Sequence, residues 1–204
     1  LENNYWTNET MIGWLNVHAS TRPNSPSIMA ADFTLTWLEL KEEVDKLTNG
    51  LLGLGLKKGD VVALQLPNIK EFVVSYIAIS AFGGVTQTIY MSHGEKDIEY
   101  FLNHSKARAI ISPDHIKNFF VAEKLCNLRS SSDTLDQVIV VGDDIPDGAI
   151  NYKNLLVEGV PDVGNPPVGS DPFLLLYTSG TTSNPKGVPL TYQNMLGHAR
   201  LCAP

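Results

Sequence analysis

Residues 177–187 read Tyr-Thr-Ser-Gly-Thr-Thr-Ser-Asn-Pro-Lys-Gly. The hydroxyls of Thr178, Ser179, Thr181 and Thr182 flank Gly180, and Lys186 and Gly187 follow a proline. These residue types at this spacing suit an anion. Glycine lets the backbone turn sharply and bring its N–H groups close to an oxyanion. The hydroxyls add neutral donors and the lysine adds a compact positive charge. Each charge-assisted hydrogen bond contributes roughly 1.5–3 kcal/mol, so several together could hold a triphosphate. The bland alternative is a surface loop of small polar residues, and composition alone favours neither.

The order of residues excludes one phosphate loop. The pattern G-x-x-x-x-G-K-[ST] needs a second glycine before its lysine and a hydroxyl after it. Pro185 and Gly187 occupy those two places. Proline has no N–H to give to a phosphate, so this is not a P-loop of that class.

The elements that must position the loop alternate between strand and helix. Residues 11–20 read as an opening helix, and Ser27–Ala31 and Phe33–Leu35 as short strands. Thr36 and Glu39 have capping-box spacing. The helix that follows carries Trp37, Leu40, Val44, Leu47, Leu51 and Leu54 on one stripe. Gly55 and the Lys57–Asp60 turn end it. Val61–Leu66 is almost wholly apolar, as expected of a strand covered on both faces. Asn68 is expected to cap the next helix, with Glu71 behind it, and Gly83 and Gly84 stop that helix. Val85–Ile89 is a β-branched strand, Ser92 and Glu95 suggest a second capping box, and Ala107–Ile111 is the next strand. A helix near Ile116–Leu125 and a strand at Val138–Val141 follow. Repeated βα units imply an α/β fold, a mostly parallel sheet flanked by helices.

Residues 159–172 hold three glycines and four prolines, which marks a stiff, irregular connection. The expected division is an αβα unit over 1–158, that connection, and a last part over 173–204. The last part opens with strand Phe173–Tyr177. After the loop, Val188–Leu190 is extended and Thr191 caps a final helix.

Composition bounds the function. A 204-residue chain with 43% hydrophobic and 18% charged residues folds around a core of its own. The net charge of −7 and the absence of a basic cluster argue against a nucleic-acid partner. Cys126 and Cys202 are the only cysteines and have no metal-ligand spacing, which fits a cytoplasmic setting. The longest nearly apolar run, Phe72–Phe82, is too short to span a bilayer. Asp143, Asp144 and Asp147 lack calcium-loop spacing and read as a solvated turn. The five histidines form no ligand-spaced pair, and Trp6, Trp14 and Trp37 read as packing residues. Asp60 and Lys58 read as turn residues rather than a site.

The ordered run Tyr177–Gly187 resembles the signature of the adenylate-forming enzymes, the family of acyl-CoA synthetases, luciferases and peptide-synthetase adenylation domains. Ser183 stands where that family more often has glycine, and Tyr192 where it often has histidine. The stretches around 33–84 and 91–112 are similar to the family's earlier blocks, so the resemblance covers almost the whole chain. It implies the first αβα subdomain of the family's large N-terminal domain. It also implies an ATP-dependent carboxylic acid–CoA ligase, with a fatty acid as substrate, that forms an acyl-adenylate and then a thioester. Loading of a carrier protein and a non-catalytic nucleotide-binding scaffold are the alternatives.

By the same resemblance Thr178, Ser179, Gly180, Thr181, Thr182, Lys186 and Gly187 grip the phosphates of ATP. Lys186 is then the catalytic cation, Thr178 helps hold Mg²⁺, and the loop closes on ATP. Coenzyme A would be the second substrate. The family's later motifs are not found before Pro204. The chain therefore reads as an N-terminal fragment, inactive without the missing C-terminal part of the same chain. A peripheral membrane contact of the parent enzyme is left open. An apolar face should remain uncovered where the rest of the domain would dock.

Overall fold

A computed structural model describes residues 6–178 and 185–202. Helix α1 (Met11–Thr21) leads to a two-stranded ribbon of β1 (Pro26–Met29) and β2 (Thr34–Thr36). Helix α2 (Trp37–Gly53) then starts on the capping box read from the sequence: Thr36 Oγ1 accepts the Glu39 N–H, and the Glu39 carboxylate accepts the Thr36 N–H at 2.8 Å. The expected stripe faces inward, and Leu40, Val44, Leu47 and Leu51 are buried.

The central sheet has seven strands in the order β11-β10-β4-β3-β5-β8-β9. They are β3 (Val61–Leu64), β4 (Val85–Thr88), β5 (Ala109–Pro113), β8 (Gln137–Val141), β9 (Ile150–Asn151), β10 (Pro172–Thr178) and β11 (Lys186–Thr191). Every neighbouring pair is parallel except β10–β11. Side chains alternate across the sheet as the period of two requires. Val62, Leu64, Ile111 and Ile139 pack toward α2 and α3 (Lys70–Ala81), with the 3₁₀ turn Tyr152–Leu155 closing that layer. Ala63, Ile110, Val138 and Val140 pack toward α4 (Glu95–Ser105) and α5 (Val121–Ser131). Helices thus cover both faces, the expected αβα arrangement.

One glycine sets how closely these layers approach. Gly50 in α2 lies against the 3₁₀ turn, and a Cβ there would fall inside contact distance of the Leu155 carbonyl.

Four local expectations are corrected. Asn68 does not cap α3; a turn from the Ile69 N–H to the Pro67 carbonyl moves the helix start, and Ile69 stands at the cap with no side-chain bond. Ser92 does not cap α4, because a turn from the His93 N–H to the Tyr90 carbonyl places Gly94 at the helix start. The helix expected from Ile116 begins at Val121, since β6 (His115–Ile116) and β7 (Phe119–Phe120) form a small hairpin first. Strand β5 likewise begins at Ala109, two residues later than expected.

The sheet continues past the Pro/Gly-rich connection. Leu174 and Leu175 of β10 pair with Thr86 and Gln87 of β4. Helix α6 (Tyr192–Cys202) docks this part onto the body: the buried Tyr192 ring stacks on Phe173 at 4.4 Å, and its hydroxyl donates to the Ser80 carbonyl at 2.9 Å.

Candidate functional site

The site is built at the end of the longest strand. β10 is seven residues long and runs parallel to β4, whose four residues pair with β3. The C-terminal ends of β3, β4 and β10 therefore lie on one edge of the sheet, the edge where open α/β sheets bind ligands. β10 projects past β4 and delivers Thr178 beyond that edge.

The chain then returns as β11. Thr178 pairs with Lys186 and Tyr177 with Gly187. The extended run expected at Val188–Leu190 is part of β11, which pairs antiparallel with β10, and the final helix follows it. Thr191 caps that helix as expected: its Oγ1 accepts the Asn194 N–H, and Asn194 Oδ1 accepts the Thr191 N–H at 3.0 Å. Pro189 is tolerated because β11 is an edge strand.

Directly paired residues of an antiparallel ladder point to the same face. Thr178 and Lys186 therefore share a face, and both side chains are exposed. A hydroxyl donor and an ammonium side by side fit a phosphate. Ser179, Gly180, Thr181 and Thr182 lie outside the described residues. Leu176 and Val188, the next pair on this face, are 37% and 40% exposed.

The opposite face of the hairpin packs on α4. The Tyr177 ring lies 4.6 Å from that of Phe101, and its hydroxyl is 2.8 Å from His104 Nδ1. Burial and the neighbouring Tyr100 raise the Tyr177 pKa, against a hydrogen bond with Ser105. Gly187 lies close beside this ring. A Cβ there would meet Leu175 at 3.2 Å and the Tyr177 ring at 3.3 Å.

An open depression of about 600 Å³ lies at the same sheet edge, lined by Leu66, Asn68, Phe72, Thr88, Tyr90 and Ser92 among others. Below it Gln65 is fully buried and donates from Nε2 to the Tyr90 carbonyl at 3.2 Å. Sequence reasoning missed Gln65, because nothing local distinguishes a polar residue after a strand. It also saw in His104 only one of five histidines without a ligand-spaced partner and overlooked Tyr100, since their partners are over 70 residues away in the chain.

A second cluster has another explanation. Asp114, His115 and Asp144 bring ligand-type atoms within 4.8 Å of one another. The Asp114 carboxylate accepts the N–H groups of His115, Asp143 and Asp144, and so fastens the turn after β8. Burial opposes its ionisation, but these backbone bonds outweigh that and leave its pKa below the usual carboxylate range.

Residues 15–203 match the AMP-binding enzyme family. The chain belongs to this family. A probable CoA ligase of Humulus lupulus is 33% identical over 193 residues, covering 92% of this chain and 35% of that protein. A salicyl-AMP ligase / salicyl-S-ArCP synthetase of Mycobacterium tuberculosis is 28% identical over 98% of this chain and 36% of its own length. Among solved structures, an apo structure of MbtA from Mycobacterium smegmatis matches with a TM-score of 0.82 at 28% identity, over 94% of this chain and 35% of that one. The acetoacetyl-CoA synthetase of Streptomyces lividans gives the same TM-score, 0.82, at 26% identity, over 94% and 31%. The chain thus spans about a third of the length of these relatives. No helix among the described residues is long and apolar enough to cross a membrane.

Proposed function

We propose that this family member is the ATP-handling part of an ATP-dependent carboxylic acid–CoA ligase, with a fatty acid as its substrate. The observation that carries the reading is the pairing of Thr178 with Lys186 at the sheet edge where a ligand would sit. Residues 1–158 form the scaffold, 159–172 the connection and 173–204 the phosphate-binding part. The carboxylate of the acid attacks the α-phosphorus of ATP, the bond to the β-phosphate breaks, and pyrophosphate leaves. Coenzyme A thiol then displaces AMP from the acyl carbon.

Charge grows on the departing pyrophosphate. Lys186 and the hydroxyls and backbone N–H groups of residues 178–182 are donors suited to stabilise it. Gly187 leaves room for Tyr177 behind them. Mg²⁺ carried in with ATP would take oxygen ligands mainly from the phosphates, and one exposed hydroxyl, Thr178, fits as a protein ligand. Two free cysteines suit a cytoplasmic enzyme. Residues 1–204 by themselves are expected to be inactive, in line with the third of its relatives that the chain spans.

Carrier-protein loading is the second reading, favoured by the match to the mycobacterial salicyl-S-ArCP synthetase over 98% of the chain. Acid-dependent ATP–pyrophosphate exchange by the complete protein, across acids of increasing length, tests the adenylation step. Exchange with fatty acids is expected. Thioester formation on free coenzyme A rather than on a carrier protein separates the two readings.

A further inference from the structure

Helix α4 holds both strand ends that flank residues 179–184. Tyr100 Oη donates to the Pro185 carbonyl at 2.9 Å, on the returning side. His104 Nδ1 meets the Tyr177 hydroxyl at 2.8 Å, on the outgoing side. Tyr100 and His104 are one turn apart, so they share a helix face, and their rings stack at 5.4 Å. Tyr177 is the centre of the arrangement, with ring contacts to Tyr100 at 6.4 Å, Phe101 at 4.6 Å and His104 at 5.6 Å. Gly187 leaves the cross-strand space that this ring fills, an aromatic packed over a strand glycine. Ser105 is fixed in turn by donating to the buried Gln87 of β4 at 2.7 Å.

We propose that Tyr100 and His104 are positioning residues for ATP. By fixing Pro185 and Tyr177 they set the separation and direction of Thr178 and Lys186, one residue further along each strand. Neither touches phosphate. This rests on reading Thr178 and Lys186 as phosphate donors. Positioning matters because donors act on a developing charge only within hydrogen-bond distance of it.

The test is tryptic cleavage of the complete protein after Lys186, mapped by mass spectrometry. Cleavage after Lys117, exposed in the turn between β6 and β7, is the internal reference. Cleavage within a paired strand requires local opening. Tyr100→Phe keeps the ring and removes the bond to Pro185. It should raise the Lys186 to Lys117 cleavage ratio about two- to tenfold, the factor that corresponds to losing about 0.5–1.4 kcal/mol. MgATP should slow cleavage after Lys186 in the wild type, with half-protection shifted to higher concentration in the variant. His104→Phe should give the same signature from the Tyr177 side, and serves if Tyr100→Phe accelerates both cleavages alike through general unfolding.

An unchanged ratio in both variants overturns the anchoring. A raised ratio with unchanged half-protection overturns the positioning of ATP donors. If MgATP does not protect even the wild type, the phosphate reading has failed, while the ratio without nucleotide still decides the anchoring.

Discussion

Tyr192 joins the hairpin and α6 to the body. The side chain is fully buried, its ring stacks on Phe173 at 4.4 Å, and its hydroxyl donates to the Ser80 carbonyl at 2.9 Å. That carbonyl also accepts the Gly83 N–H at 3.0 Å, so Tyr192→Phe leaves no orphaned acceptor. The phenyl ring keeps the stack and opens no cavity. The loss is therefore one net hydrogen bond, about 1 kcal/mol, or a melting temperature lower by about 2–4 °C for a unit of this size. Tyr192→Ala also loses the buried ring and leaves a cavity, at about 3–5 kcal/mol. Urea and thermal melts of the two variants give the comparison. Two results would contradict this role of Tyr192: an alanine variant within about 0.5 kcal/mol of wild type, the range of surface substitutions, or a phenylalanine variant as damaging as the alanine one.

Gly50→Ala should destabilise by about 1–3 kcal/mol, because its Cβ would press on the Leu155 carbonyl; urea melts check this. Asp114 has a folded pKa below its unfolded value, so its contribution is present above the ordinary carboxylate pKa, about 4, and is lost as pH falls through the lower folded value. The protection factors of the Asp143 and Asp144 amides, exchange rates referred to the intrinsic rate at each pH, should therefore fall in acid, and Asp114→Asn should lower them already at neutral pH. Cys202 is exposed, while Cys126 is buried with its pKa raised by burial against the nearby Arg129. Iodoacetamide at neutral pH should label Cys202 first, as read by mass spectrometry of the alkylated peptides.

Local signals were legible in the sequence and non-local ones were not. The Thr36–Glu39 box and the α2 stripe depend on residues three or four apart, and both appear as read. The Asn68 and Ser92 caps failed because short turns at Pro67–Ile69 and Tyr90–His93 consume the residues before each helix. The β6–β7 hairpin was invisible because Lys117, not a glycine, takes the left-handed turn position at φ 56°. In the candidate site, Lys186 and the hydroxyls were legible as residue types in order. Their pairing across a hairpin was not, because antiparallel register follows from which strands meet. Nor was the mounting on α4, where contacts such as Tyr100 to Pro185 span 85 residues.

In the proposed function Lys186 meets the phosphates of ATP. Acid-dependent ATP–pyrophosphate exchange by the complete protein, wild type against Lys186→Ala, tests it most directly. Losing one charged donor to the departing pyrophosphate should slow exchange by about 10²–10³-fold, as for other single transition-state donors, with the fold intact by melting. Exchange within twofold of wild type would mean that the cation is not at the phosphates and that this hairpin does not grip ATP through Lys186.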